Sequence, residues 1–188
     1  MQADLSCLGL SEESALVERL KTGAPGAIDE VVRLYHRPLF SFIVRMIGDP
    51  QEAEDIFQET WVRVIRHVGS FRGQSRFSTW LFQIALNQCR NAMRKLGRRQ
   101  YVDIDEVSGQ DENLTVGPDV DAGKIIAAER VKRMLASLPP RMREVLVLRY
   151  YHDRSEQEIA EITGKPVGTV KSRIHRATNM LREKMGTF

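Results

Sequence analysis

The loop from Ser70 to Phe77, with the sequence SFRGQSRF, contains residue types that bind unstacked nucleic-acid bases. A glycine lets the backbone approach a ligand closely, small polar groups can hydrogen-bond a base edge, and Arg and Phe side chains offer stacking surfaces. Stacking of one base on an aromatic ring contributes about 1–3 kcal/mol. The composition therefore predicts a single-strand site, whose candidate residues are Phe71, Arg72, Gly73, Gln74 and Ser75.

The helix predicted after this loop, with Ser78 or Thr79 as its cap, carries a second set of binding residues. Its polar side chains Asn87, Arg90, Asn91 and Arg94 recur at spacings that place them along one helix face. Asparagine can read base edges, and arginine can hold backbone phosphates. Together with the loop, this face indicates a surface for one strand of a partly unpaired nucleic acid.

The aromatic residues around the loop also have a simpler explanation, which is packing in a hydrophobic core. Phe71, Phe77 and Trp80 can each either stack on a base or fill the interior. We expect the core explanation to hold for Trp80 and for at least one of the two phenylalanines.

The helix before the loop presents polar residues of a different character. Asp55, Gln58 and Glu59 lie on one side of an apolar stripe. The stripe is expected to be buried and consists of Ile56, Phe57, Trp61, Val64, Ile65 and Val68. Acidic groups on this face would repel DNA, so we interpret it as a docking surface for a protein. A solvated helix face without a partner is the alternative.

The segment from Ser155 to Leu181 has the pattern of a helix-turn-helix. Ser155 and Glu158 predict a capping box for a short first helix, Gly164 lies in a tight turn, and the second helix is amphipathic. Exposed residues of the second helix would contact duplex DNA, with arginines on guanine and lysines on phosphates. These candidates are Lys165, Thr169, Lys171, Ser172, Arg173 and Arg176. A structural helical hairpin with a basic solvent face is the alternative.

The charge of the chain is small but uneven. The 188 residues carry a formal net charge of +3. Five basic residues and no acidic one lie between 90 and 99, whereas seven acidic residues and no basic one lie between 101 and 123. Basic surfaces of this kind favour phosphate partners, with solvated helix faces as an equal alternative.

Cysteines, histidines and apolar runs argue against several other classes. Cys7 and Cys89 are isolated and the four histidines are scattered, so no metal site, cofactor or small-molecule substrate is expected. No P-loop or nucleophile–base pair supports an enzyme, and no catalytic residue is expected. The absence of a signal peptide and of an apolar run of about 20 residues predicts a cytoplasmic protein that does not insert into a membrane.

Apolar residues at spacings of three and four predict helices almost throughout, and no strand pattern is evident. The expected fold class is all-α, with two small helical domains at residues 11–96 and 124–188. A flexible acidic linker is expected at residues 97–123, and the first ten residues are expected to be disordered. Pro38 is expected to kink its helix or to remove one backbone hydrogen bond.

Three stretches of the chain resemble one protein family. AEDIFQETWVRV, FRGQSRFSTWLFQIALNQCRN and LPPRMREVLVLRYYHDRSEQEIAEITGKPVGTVKSRIHRA look like regions 2.2, 2.3–2.4 and 4 of the bacterial sigma-70 family. The resemblance is closest to extracytoplasmic function (ECF) sigma factors, which are compact members with only the domains σ2 and σ4. It extends from about Leu20 to Lys184 in the right order and spacing.

The resemblance implies roles that the composition does not show. Asp55, Gln58 and Glu59 match positions that dock on the clamp helices of the RNA polymerase β′ subunit. The loop, with Asn87, Arg90 and Asn91, matches the segment that melts the −10 promoter element and captures a flipped base. The last helix matches the reader of the −35 element.

The partners implied by the resemblance are core RNA polymerase, through its β′ clamp helices and β flap, promoter DNA and an anti-sigma factor. Such a factor would cover the polymerase-binding surfaces and could hold the chain at the inner membrane. A free-standing helix-turn-helix regulator is the first alternative, but it has no evident use for the acidic face around Asp55. An enzyme that acts on nucleic acid is the second alternative.

Overall fold

A computed structural model describes residues 10–102 and 122–186. Within these residues the secondary structure is helical and contains no strand, so the all-α expectation is confirmed. The helices are α1 (Leu10–Lys21), α2 (Ala27–Ile47), α3 (Pro50–His67), α4 (Phe77–Val102), α5 (Ala122–Ala136), α6 (Pro140–Tyr151), α7 (Glu156–Thr163) and α8 (Val167–Gly186), with a 3₁₀ turn at Val68–Ser70 between α3 and α4. None of the helices in the described ranges is both long and apolar enough to cross a lipid bilayer.

The first half of the molecule is built on the mutual packing of α2, α3 and α4, with α1 lying against α2 and the 3₁₀ turn. Its interior contains large side chains that are fully buried, among them Phe42, Phe82 and Leu86. Phe42 and Phe82 pack edge to face with their ring centroids 5.2 Å apart. Because each such side chain contributes about 1.5–3 kcal/mol when it leaves water, this core fixes α4 relative to α2.

A two-residue connection joins α2 to α3. Gly48 adopts a left-handed conformation with a φ of 91°, and its amide donates to the carbonyl of Val44 at the end of α2. The Asp49 carboxylate accepts a hydrogen bond of 2.8 Å from the amide of Glu52 in the first turn of α3. Helix α2 itself continues without a break through Pro38, so the missing proline N–H is tolerated.

Helix ends differ from the predicted ones in four places. Helix α1 begins at Leu10, and α4 extends to Val102, six residues beyond the expected end of the first domain at residue 96. At the start of α4 the amide of Ser78 donates to the carboxylate of Glu13 in α1, which takes the capping role predicted for Ser78 or Thr79. Helix α5 begins at Ala122, two residues before the expected start of the second domain at residue 124. Of the segments expected to be disordered (1–10) and to form the linker (97–123), residues 1–9 and 103–121 lie outside the described residues.

The second half of the molecule consists of α6, α7 and α8 around a small apolar core, with α5 preceding them. The predicted capping box is present: the Glu158 amide donates to Ser155 Oγ and the Ser155 amide donates to the Glu158 carboxylate. Gly164, with a φ of 65°, makes the turn into α8. The predicted helix-turn-helix geometry is therefore confirmed.

The two halves are in direct contact, with α6 against α2 and α7 against α4. The Arg143 guanidinium donates to the carbonyl of Met46 at the end of α2, over 2.6 Å. The His152 ring lies 5.1 Å from the ring of Phe82 and 5.7 Å from that of Phe42. Burial at this junction, together with the nearby Arg154 and Arg45, lowers the pKa of His152 to about 3.

Candidate nucleic-acid interface

A pocket of about 290 Å³ lies where the end of α3, the 3₁₀ turn and α4 meet. Asn87 and Asn91 are one helical turn apart on α4 and both line it, as does the indole of Trp80. The complete wall consists of Arg63, His67, Ser70, Trp80, Ile84, Asn87, Gln88 and Asn91. The pocket thus combines one flat aromatic surface, several amide groups and two side chains that can carry positive charge, which suits a planar polar base beside a phosphate.

The indole of Trp80 is held by two phenylalanines. Its centroid lies 5.3 Å from that of Phe71 and 5.6 Å from that of Phe77, and the two phenylalanine rings are 5.8 Å apart and nearly perpendicular. Phe77 is buried, which confirms the core explanation for one phenylalanine. Trp80 is half-buried and packs against the same core, as expected, while its ring also lines the pocket.

The predicted loop residues lie next to the pocket in the chain without forming its wall. Arg72, Gly73 and Gln74 are exposed, Ser75 is half-buried, and Gly73 has a φ of 68°. The loop is anchored on its α3 side, where Ser70 Oγ donates to the carbonyl of His67 over 2.7 Å. Of the five predicted residues, only Phe71 supports the pocket through a contact that the structure shows, which is its packing on Trp80.

The predicted protein-docking residues lie on the outer face of α3. Asp55, Gln58 and Glu59 are all exposed. Hydrogen bonds from Gln88 and Arg63 lower the pKa of Glu59, so this carboxylate stays charged. The acidic face therefore shares Arg63 and Gln88 with the pocket wall.

Two apolar side chains extend this face. Val62 is 44% exposed and Ile65 is 46% exposed, and helical spacing places both on the same side of α3 as Asp55 and Gln58. The prediction that Ile65 is buried is wrong: Ile65 lies about 40° around the helix from Trp61 but about 100° from Val64, beyond the edge of the buried side. Val62 and Ile65 thus add apolar surface beside the acidic residues of this face.

On α8, most predicted duplex contacts are accessible. Lys165, Lys171, Ser172 and Arg176 are exposed, and Thr169 is half-buried in the first turn of the helix. Lys171 forms an exposed ion pair of 3.5 Å with Glu156 of α7, which is too weakly held to restrain it. The opposite side of α8, with Val170 and Ala177, is buried.

Comparisons with known proteins show which family the chain belongs to. Residues 31–99 match the family model described as Sigma-70 region 2, and residues 128–181 match Sigma-70, region 4. Together the two models span more than half of the chain. The chain belongs to the sigma-70 family. Its relatives place it in the ECF group of that family.

Two relatives can be aligned with nearly the whole of this sigma factor. The ECF RNA polymerase sigma factor SigW of Bacillus subtilis is 35% identical over 178 residues, which is 90% of this chain and 94% of SigW. The RNA polymerase sigma-H factor of Pseudomonas aeruginosa is 36% identical over 176 residues, which is 88% of this chain and 90% of that protein.

A solved structure has the same fold. The sigma factor RpoE of Bartonella quintana, in complex with the anti-sigma factor NepR, superposes with a TM-score of 0.71 at 25% identity. The match covers 86% of this chain and 98% of that one.

Two of the predicted DNA contacts of this sigma factor face the junction between its halves. Arg90 donates from Nε and Nη2 to the two carboxylate oxygens of Glu144, over 3.0 and 2.9 Å. Arg173 of α8 donates to the same carboxylate over 3.1 Å, and its side chain is only 13% exposed. The predictions that Arg90 shares a face with Asn91 and that Arg173 is exposed are therefore wrong.

The physical reason is the burial of Glu144, whose side chain is 1% exposed. A carboxylate out of water requires cationic partners, and the two arginines are the ones within reach. Arg90 is rotated by about 100° from Asn91 around the axis of α4, so it points toward α6 while Asn91 points into the pocket. Arg94 stays exposed and donates to the side chain of Asn91.

Sequence reasoning missed the pocket role of several residues in this sigma factor. Arg63 and His67 of α3 and Gln88 of α4 line the cavity, and Ser70 lines it from the 3₁₀ turn. The spacing of four between Arg63 and His67 was an available signal, because it places both on one face of α3.

Proposed function

We propose that this sigma factor binds core RNA polymerase, opens the −10 promoter element by capturing an unstacked base, and reads the −35 element as duplex. Residues 11–96 take the single strand and residues 124–188 take the duplex, with residues 97–123 as the linker. The observation that carries this proposal is the pocket beside Trp80, because it places an aromatic ring next to two asparagines and an arginine, which suits a base out of the stack.

The base that leaves the stack enters the pocket and stacks on Trp80, while Asn87 and Asn91 bond its edge. Unstacking a base costs a few kcal/mol, and stacking on an aromatic ring returns about 1–3 kcal/mol of that. The cations nearest the cavity, Arg63 and Arg94, hold the flanking phosphates. The exposed loop residues Arg72 to Ser75 contact the strand outside the pocket.

The −35 duplex is read by the exposed side of α8. Arg176 is the candidate for a bidentate contact with guanine, and Ser172 and Thr169 lie beside it on the outward face. Lys165 and Lys171 meet phosphates. Arg173 is positioned by Glu144 and contributes mainly to holding α8 in place.

Core polymerase docks on the exposed face of α3, through Asp55, Gln58, Glu59 and the apolar Val62 and Ile65. Region 4 provides the second contact, with the β flap. An anti-sigma factor, as in the complex of the Bartonella relative, covers these surfaces and keeps the chain inactive. The protein acts in the cytoplasm without enzymatic activity, and its anti-sigma partner could hold it at the inner membrane.

Transcription reconstituted with core polymerase on genomic DNA, followed by mapping of start sites, tests the proposed function. Start sites that share upstream −10 and −35 sequences are expected. The double substitution Asn87→Ala and Asn91→Ala should abolish strand opening on these promoters, whereas the matched substitution Asn179→Ala on α8 should leave it intact. Opening that survives the double substitution would refute base capture.

Docking is tested separately by charge reversal. Asp55→Lys with Glu59→Lys should abolish binding to core polymerase in a pull-down, since a partner that accepts carboxylates repels ammonium groups. Glu18→Lys with Asp29→Lys makes the same charge change on α1 and α2 and should retain binding. Equal affinity of the two double variants for core polymerase would contradict the assignment of the α3 face as the docking surface.

A further inference from the structure

Glu13 of α1 is a buried acidic residue whose partners lie far away in the chain. Its Oε1 accepts a hydrogen bond of 2.7 Å from the Tyr35 hydroxyl and one of 3.1 Å from the backbone amide of Ser78. Ser78 is the second residue of α4, 65 positions further along the sequence. A carboxylate of α1 therefore sits at the amino-terminal end of the helix that carries the pocket.

The beginning of α4 needs such a partner. The first amide groups of a helix have no acceptor inside it, and a negative charge there is favourable. The first turn of α4 contains no acidic residue of its own. Glu13 thus acts as a helix cap supplied from a distant part of the chain, in the role that a capping Asp or Ser fills locally.

Tyr35 ties the same carboxylate to the aromatic cluster under the pocket. Burial and the neighbouring Glu13 raise the pKa of Tyr35, so its hydroxyl remains a donor. The Tyr35 ring packs against Phe77, with centroids 5.6 Å apart. Phe77 in turn contacts Trp80, which lines the pocket.

Helix α1 also supports the other ring beneath Trp80. The Lys21 ammonium lies 5.7 Å from the centroid of the Phe71 ring, and α1 contacts the 3₁₀ turn that precedes it. Its apolar side, with Leu16, Val17 and Leu20, is buried in the first half. Both phenylalanines that hold Trp80 are therefore connected to α1.

We propose that Glu13 is a positioning residue for strand capture: by capping α4 from α1 it fixes the first turn of α4 and so holds Trp80 in the pocket wall. The inference rests on the proposed function of that pocket. Without the cap the first turn of α4 frays, and a strand must then reorder Trp80 when it binds, which lowers affinity.

The experiment uses the full chain with Glu13→Ala, Glu13→Gln, Tyr35→Phe and, as a control for lost stability, Val147→Ala in α6. The probe is the fluorescent single-stranded decamer that the unaltered chain selects from a randomised DNA pool. Affinity is measured well below every melting temperature. In parallel, acrylamide quenching of Trp80 fluorescence is followed in a Trp61→Phe background.

Loss of the cap should weaken decamer binding about tenfold in Glu13→Ala. Glu13→Gln keeps an acceptor for Ser78, and Tyr35→Phe keeps the carboxylate itself, so both should show smaller losses. Val147→Ala should lower the melting temperature and leave affinity unchanged. Quenching of Trp80 should increase in Glu13→Ala and stay constant in Val147→Ala.

Unchanged affinity and quenching in Glu13→Ala would overturn the inference, and so would equal affinity losses in Glu13→Ala and Val147→Ala. If the unaltered chain selects no preferred decamer, base capture itself fails. The quenching measurement then still decides whether Glu13 holds Trp80, so the two failures are distinguishable.

Discussion

In the proposed function, the pocket and the exposed side of α8 contact DNA in opposite ways. The pocket draws its wall from α3, the 3₁₀ turn and α4, and its aromatic side rests on Phe71 and Phe77. The exposed side of α8, by contrast, carries side chains such as Lys171 and Arg176, which project from a single helix. A base out of the stack needs a surface prepared for it, whereas a duplex groove supplies its own surface.

The comparison extends to the arginines. Each surface has one arginine that was predicted to contact DNA and instead bonds to Glu144. These are Arg90 on α4 and Arg173 on α8. Arg94 and Arg176 stay exposed. The pocket and the exposed side of α8 are therefore connected through the single carboxylate of Glu144. Removal of this carboxylate should disturb both surfaces.

The largest effect is expected from Glu144→Ala. It leaves two poorly exposed guanidiniums without their anion, and a loss of about 3–5 kcal/mol in the free energy of unfolding is expected. Urea denaturation followed by circular dichroism measures this loss. Glu161→Ala, at an exposed position of α7, is the control and should change stability by less than about 0.5 kcal/mol. A loss below about 1 kcal/mol for Glu144→Ala would show that the shared carboxylate is unimportant.

Trp80→Ala should weaken DNA binding at the pocket and leave DNA binding by α8 unchanged. Removal of the stacking ring should weaken single-strand binding by about 1–3 kcal/mol and leave −35 duplex binding unchanged. Fluorescence anisotropy with one probe of each kind measures both. Trp80→Phe keeps an aromatic ring and should retain much of the affinity. Parallel losses for both probes would contradict the separation.

Arg176→Ala and Arg173→Ala should differ in their effects on base discrimination and on stability, although both residues lie on α8. Arg176→Ala should reduce discrimination at one base pair of the −35 element by about 1–3 kcal/mol with little change in stability. Arg173→Ala should lower stability and leave discrimination nearly intact. Competition binding with single-base variants of the −35 duplex, beside urea denaturation, tests the difference. If Arg173→Ala lost discrimination between base pairs while Arg176→Ala kept it, Arg173 and not Arg176 would be the base-reading residue.

A smaller effect is expected at the junction when the pH falls. The folded-state pKa of His152 is about 3, below the ordinary value, so the unfolded chain binds a proton at mildly acidic pH and the folded chain does not. Stability should therefore decrease as the pH falls from about 6.5 toward the folded-state pKa. Urea midpoints at about pH 7 and about pH 5 measure the decrease, and His152→Gln should make it shallower. An identical slope in His152→Gln would exclude this histidine as the cause.

Local signals predicted much of the fold. Gly48, Asp49 and the pair Ser155–Glu158 act through atoms a few residues away, so their hydrogen bonds follow from the sequence directly. The buried stripe of α3 followed from spacing, except for Ile65, because periodicity alone does not show how wide the buried side of a helix is.

The site was predicted less completely, since it depends on contacts between distant segments. The composition indicated a base-binding surface and identified Asn87 and Asn91. It did not show that Arg90 and Arg173 meet at Glu144, or that Glu13 reaches Ser78. Such contacts depend on how the helices pack, and no local pattern encodes them.

The pairing of Arg90 with Glu144 has a consequence for the cooperativity of unfolding. Glu144 of α6 accepts hydrogen bonds from Arg90 of α4 and from Arg173 of α8, so one buried carboxylate joins helices of both halves. If the halves separated, Glu144 would lose Arg90 as a partner, and an underpaired buried charge is costly. The two halves are therefore expected to unfold in one transition.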